Sequence, residues 1–342
     1  MSVEQPDVLD GAIAPAENSA LFGHEAAEAF LAQSYRSGKG HHAILIEGPE
    51  GIGKATLAFR FANHVLSHPD PALAPALLAE PDPNSAVSRQ ITSGASHNLL
   101  HLTRPVDEKS GRMKATITVD EVRRAGHFFA QTSGTGNWRI VIIDAADDLN
   151  RNAANAILKI LEEPPKRAMF LVLSHAPGRL LPTIRSRCLP LKLSALNDVD
   201  LSRALSHLGL DPGAKGQAVL ERSEGSVAEA IKLINYGGLD IAEALADILA
   251  SSGRSARQSL HKLADVLSGK DSEVIHGFFT SHLESVVAAR AREAALAGDG
   301  TRAERLARLA GDIQERLRVS QAYNLDKKQT IIALIEDVLA AL

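Results

Sequence analysis

HHAILIEGPEGIGKAT, His41 to Thr56, is the stretch on which the fold of this chain turns. A short apolar strand, AILIE within His41 to Glu47, enters a glycine-rich loop, and from Gly53 to about Ser67 the spacing becomes helical. Strand, loop and helix in that order are the setting in which G-x-x-x-x-G-K-[ST] cradles phosphate. Consecutive backbone N–H groups and a helix N-terminus face the oxygens, and the lysine adds a point charge. Gly48, Gly53 and Lys54 fit the pattern, with Gly51 as a further glycine inside the loop. Ala55 stands where the Mg²⁺-binding hydroxyl belongs. Thr56 lies one residue, about 100° of helix, away from that direction. The loop is therefore expected to hold Mg²⁺ poorly and to support at most weak ATP binding without hydrolysis.

Working outward, four further strand-like runs alternate with helical segments. They are SHNLLHLT near Leu99, RIVIIDA from Arg139, MFLVLS from Met169 and LPLKL from Leu189. This alternation predicts a mostly parallel five-stranded sheet covered on both faces. RIVIIDAADDLN ends in Asp144 followed by Ala145, where an ATPase of this layout needs a glutamate to orient the attacking water. Phosphoryl transfer to water depends on positioning and electrostatics, so losing a metal ligand and a water-orienting acid together predicts loss of most of the rate. Asp147 and Asp148 lie past the strand end and read as the start of the next helix, for which Asn150 is the expected cap and Pro164–Pro165 the stop. TVDE, Thr118 to Glu121, predicts the start of another helix.

The flanks read as follows. Residues 1–18 are expected as a disordered tail, 19–194 as the α/β domain, with 68–114 an insertion or loose loop inside it. Residues 195–248 carry short amphipathic helices, a small lid, and 249–342 longer ones, an all-α domain. The chain has 342 residues, 45% of them hydrophobic, and a net charge of -4, which gives no overall field toward nucleic acid or an anionic membrane. One cysteine, Cys188, excludes an internal disulfide and points to a reduced, cytoplasmic setting. The thirteen histidines include no pair spaced to hold a metal with an adjacent acid. No window approaches the ~18 uncharged apolar residues of a membrane span. The arginines from Arg290 to Arg308 alternate with acids, as a solvated helical face does.

RSRC, Arg185 to Cys188, sits in a link that reads as exposed. A guanidinium there can fork onto phosphate oxygens, the chemistry of an arginine finger. GPEGIGKATLA, VIIDAADDLNRNAANAILKILEEPP and FLVLSHAPGRLLPTIRSRC together closely resemble the DNA polymerase III delta' family, in the clamp-loader branch of the AAA+ proteins. LEEPP with SRC is the most specific part of that resemblance, which covers about Leu21 to Leu193.

The resemblance implies an AAA+ α/β P-loop domain, a helical lid and an all-α C-terminal collar. It implies a hetero-pentamer with delta and gamma/tau type subunits that uses ATP to place a sliding clamp on primed DNA, with no membrane involved. By position, Arg187 becomes an arginine finger acting in trans, and Gly48, Gly51, Gly53, Lys54 and Thr56 a vestigial phosphate loop with Asp144 and Ser174 beside it. No cofactor is required on this reading. Relatives that hydrolyse ATP carry a lid arginine where GSVA has Ala228, and residues 68–98 lack the cysteines of the family's zinc module, so zinc is expected to be absent. Two alternatives are an active ATPase subunit of the same loader and a free-standing P-loop phosphotransferase. Ala55, Ala145 and Ala228 weigh against the first, and the helical C-terminal third against the second.

Overall fold

A computed structural model describes residues 8–107, 113–130, 136–251, 254–269 and 272–342. Strands β1 (Ala43–Glu47), β2 (Leu99–Leu102), β3 (Arg139–Ile143), β4 (Ala168–Ser174) and β5 (Leu189–Lys192) form one sheet in the order β2-β3-β4-β1-β5. Every neighbouring pair is parallel, with Ala43 opposite Phe170 and Glu47 opposite Ser174 in the central pair. The expected sheet is therefore present and wholly parallel.

Continuous apolar runs suit strands buried on both faces, and period-2 alternation sends their side chains to two separate cores. Ile44, Ile46, Ile140, Ile142, Leu171 and Leu173 pack with α1 (Glu25–Arg36) and α2 (Lys54–Ser67) on one face. Leu45, Val141, Ile143, Phe170 and Val172 pack on the other, against α4 (Val119–Ala130), α5 (Arg151–Glu162) and the single turn α6 (Pro182–Arg185). α3 (Ala86–Thr92) lies in the insertion and packs on α2. β5 pairs with β1 alone, and as an edge strand it tolerates Pro190. Asn150 caps α5 by accepting from the Ala153 amide at 2.9 Å, and the helix stops at Glu162 before Pro164–Pro165. Asp147 and Asp148 do not begin that helix. They belong to a 3-10 turn, Ala146–Asp148, that precedes it.

Residues 1–7 of the expected tail lie outside the described residues. Residues 8–18 are ordered against the domain and correct that expectation. Ala12 N–H bonds the Leu9 carbonyl and Glu17 N–H the Ala14 carbonyl, and Ala16 packs on the α1–α2 core. Buried Arg60 of α2 donates to the Ser19 carbonyl and to Glu28 at 2.8 Å. Composition reported only that this segment is polar and proline-bearing; the core that Ala16 meets is built by residues of α1, α2 and the sheet.

The chain separates into two compact units, and the division falls at neither 194 nor 248. One unit runs to Asp211 and takes in Leu220–Ala228; the other comprises Pro212–Val219 and Glu229–Leu342. Thus α7 (Asp198–His207) belongs with the sheet, because the Leu196 amide bonds the Gly225 carbonyl and Gly23 closes on Leu196 and Asp200. The division cuts α8 (Gly216–Ser223) and the start of α9 (Val227–Asn235).

In the second unit, α10 (Gly238–Ala250) packs on α11 (Arg254–Leu267) and α12 (Glu273–Leu296), so a boundary at 248 would bare its apolar stripe. α13 (Gly300–Ala322) folds back on α12 through a tight turn, and α14 (Lys327–Ala341) lies on α11 and α13. Asp299 and Asp326 cap the last two helices, accepting from the Arg302 and Gln329 amides. Phe279, Leu283, Val287, Leu306, Ile331 and Ile335 are buried in these helices. No described helix is long and apolar enough to cross a membrane.

Candidate functional site

The loop between β1 and α2 turns through Gly51 (φ 74°) and Gly53 (φ 101°), conformations that L side chains avoid. Its carbonyls are all engaged. Lys54 Nζ donates to Gly48 at 2.7 Å and Pro49 at 2.5 Å, and Ser226 Oγ donates to Glu50 at 2.9 Å. The Gly51 carbonyl accepts from the Val227 amide at 3.0 Å and the Ala228 amide at 3.4 Å, and Ile52 accepts from His24 Nε2 at 2.8 Å. Among the described residues, no amide from Glu50 to Ala55 donates to the protein. The loop therefore keeps the row of N–H groups that suits an anion.

Lys54 is 8% exposed, and burial lowers its pKa, an effect opposed by Glu50, Asp144 and Asp147. Ala55 is part of the α1–α2 core and Thr56 is buried in α2, so neither offers a hydroxyl to a metal beside the phosphates. Gly51 also explains how the GSVA segment closes down: a Cβ there would lie 2.4 Å from both Ala228 Cβ and Ser226 Oγ. Residue 228 thus abuts the phosphate loop and brings it no charge.

Opposite the loop, at the ends of β3 and β4, Asp144 meets His101 Nε2 at 3.4 Å, with Phe59 edge-on to the His101 ring. Ser174 is fully buried and donates to Asp147 at 3.0 Å. Asp147 also accepts from the amides of His175 at 2.9 Å and Ala176 at 3.0 Å, so its carboxylate ties the β3 loop to the end of β4. Burial raises the Asp148 pKa against the pull of Arg104.

Arg187 follows α6 and lies outside this cluster. Its Nη2 contacts Glu162 Oε1 at 2.5 Å and its Nη1 donates to the Thr183 carbonyl at 2.9 Å. The side chain is thus held within its own chain and remains 33% exposed. Cys188, next in the chain, is buried, and burial pushes its thiol to about 11, which leaves it inert at neutral pH. Among the described residues, no group of three or more His, Cys, Asp or Glu side chains could hold a metal ion.

Sequence reasoning names Lys54, Asp144, Ser174 and Arg187 and misses the residues that hold them. His24, Ser226 and Asp147 act through hydrogen bonds that join distant segments, and no local pattern announces those. Glu162 does carry a signal, because it lies in LEEPP, part of the most specific element of the family resemblance.

A loop after β1 that faces the ends of β3 and β4 of a parallel sheet, with a helical segment returning over it, makes this chain a P-loop protein of the AAA+ type. Residues 23–197, just over half of the sequence, match the family model "DNA polymerase III, delta subunit", and the chain belongs to that family. It is 36% identical over 200 residues to DNA polymerase III subunit delta' of Pseudomonas aeruginosa, covering 57% of this chain and 56% of that protein. It is 29% identical over 229 residues to the delta' subunit of Escherichia coli K12, covering 65% and 63%. The tau subunit of the same organism is 28% identical over 219 residues, 62% of this chain and 32% of tau. The chain spans about half the length of the delta' relatives it matches. A DNA polymerase III gamma subunit-related protein from Thermotoga maritima is similar at 18% identity and a TM-score of 0.46, over 90% of this chain and 97% of that one.

Proposed function

We propose that this chain is a non-hydrolysing subunit of a DNA polymerase III clamp loader, assembled with delta and gamma/tau type subunits, and that Arg187 completes the ATP site of a neighbour. The observation that carries the reading is the seat of residue 228 on Gly51: the lid position nearest the phosphate loop is an alanine. Ala55 removes the metal hydroxyl and Ala145 the water-orienting acid, so three separate contributions to phosphoryl transfer are missing. What remains, the amide row and buried Lys54, suits weak nucleotide binding without turnover. The relatives named delta' support the assembly, and their family supports loading of a sliding clamp onto primed DNA in a cytoplasmic setting.

The gamma and tau relatives favour a second reading, an active ATPase subunit of the same loader. ATP turnover by the purified chain separates the two. Background activity is expected, and a robust rate abolished by Lys54→Ala would overturn the inert reading.

A further inference from the structure

We infer that Glu162 is a positioning residue for Arg187, so that the LEEPP and SRC motifs work as one device. The inference rests on the finger role proposed above. The two motifs are 25 residues apart at this pair, yet Glu162 Oε1 lies 2.5 Å from Arg187 Nη2. A carboxylate in the last turn of a helix is disfavoured by the exposed carbonyls and the macrodipole. Glu162 ends α5 and Glu163 follows it, so two acids stand at the end where the helix wants cations. The Arg187 guanidinium supplies the compensating charge.

Pro164–Pro165 fixes where the helix ends, and with it the direction from which Glu162 approaches. On the other side, Nη1 donates to the Thr183 carbonyl at 2.9 Å, and Ser186 Oγ lies 3.4 Å from the same nitrogen. Two anchors on different nitrogens set the plane of a rigid guanidinium. Five N–H donors exceed what these anchors use, so the fork keeps donors for a phosphate. An arginine already ordered loses less rotamer freedom when a neighbour's nucleotide arrives. Glu162 touches neither nucleotide nor water in this scheme; it acts only through Arg187.

The test uses clamp-loader complexes reconstituted with the full chain carrying Glu162→Ala, Glu162→Gln, Arg187→Ala or Glu162→Ala with Arg187→Ala, read by DNA-stimulated ATP turnover. Glu162→Ala is expected to lower kcat on the order of 10-fold at the affected site, with KM for ATP little changed, because misplacement of a transition-state group costs rate rather than ground-state binding. Glu162→Gln keeps an oxygen that accepts from Nη2 and should recover most of that loss. The double variant should be no slower than Arg187→Ala. If Arg187→Ala slows turnover while Glu162→Ala leaves it unchanged or faster, the positioning role is overturned and the finger reading stands. If Arg187→Ala itself changes nothing, the finger reading falls and this inference falls with it. A shift in melting temperature of Glu162→Ala without any change in kcat would reduce the pair to a structural contact.

Discussion

Lys54 and Arg187 are both cations suited to phosphate, and the protein treats them in opposite ways. Lys54 is 8% exposed and turns its ammonium onto two carbonyls of its own loop, beneath the segment Ser226–Ala228. Arg187 has a side chain 33% exposed, held at two points with donors to spare. The phosphate loop is joined to the N-terminal segment through His24 and to the GSVA segment through Gly51. The Arg187 segment keeps the exposure that a group acting on another molecule needs. A loop whose carbonyls carry contacts of its own has a structural role whether or not it turns over nucleotide.

Four experiments would break or sharpen this contrast. The largest effect is expected for Arg187→Ala in a reconstituted loader. A trans arginine finger contributes about 10³ to 10⁵ in rate, roughly 4 to 7 kcal/mol at its own site. The measured loss will be smaller, because other sites keep their own arginines. Arg187→Lys should recover little, since an ammonium cannot reproduce the planar fork. Equal turnover in all three proteins would make Arg187 a surface residue and dissolve the contrast.

Next is the acid stability of the helix behind the phosphate loop. His64 of α2 is 4% exposed, and burial lowers its pKa to about 4. A histidine whose folded pKa lies below its unfolded value stabilises the fold above the unfolded pKa near 6.5 and loses that contribution as pH falls toward 4. The difference corresponds to about 3 kcal/mol. Denaturant unfolding at pH 7 and pH 4.5 should show a steeper loss for wild type than for His64→Phe. Half-buried His42 and His276 shift in the same direction, and carboxylates titrate in the same window, so the difference between the two proteins is the readout. Parallel losses would remove His64 from the account.

Gly51→Val should cost about 2 to 3 kcal/mol, from backbone strain at positive φ and collision with Ala228 and Ser226. The check is the urea midpoint, with protection of the Val227 and Ala228 amides in hydrogen exchange. Unchanged protection would mean that the GSVA segment is not held by the loop.

The smallest effect is expected for Lys54→Ala. Leaving the Gly48 and Pro49 carbonyls without their donor should destabilise the chain by about 1 to 2 kcal/mol. ATP turnover of the isolated protein should stay at background in both forms. A loss of turnover with no loss of stability would reverse the assignment and return Lys54 to catalysis.

The sequence by itself determined the strand, loop and helix at His41–Thr56, the five parallel strands, the cap at Asn150 and the three alanines at 55, 145 and 228. These are short-range properties, carried by periodicity, by glycine and proline, and by motif spacing within one segment. The tertiary structure decided what each functional side chain touches. It brought residues 8–18 against the domain, placed Ala228 on Gly51, tied Asp147 to the end of β4, and joined Glu162 to Arg187. Such contacts depend on where segments tens to hundreds of residues apart come to rest when two cores are packed on one sheet, and no local pattern encodes that position.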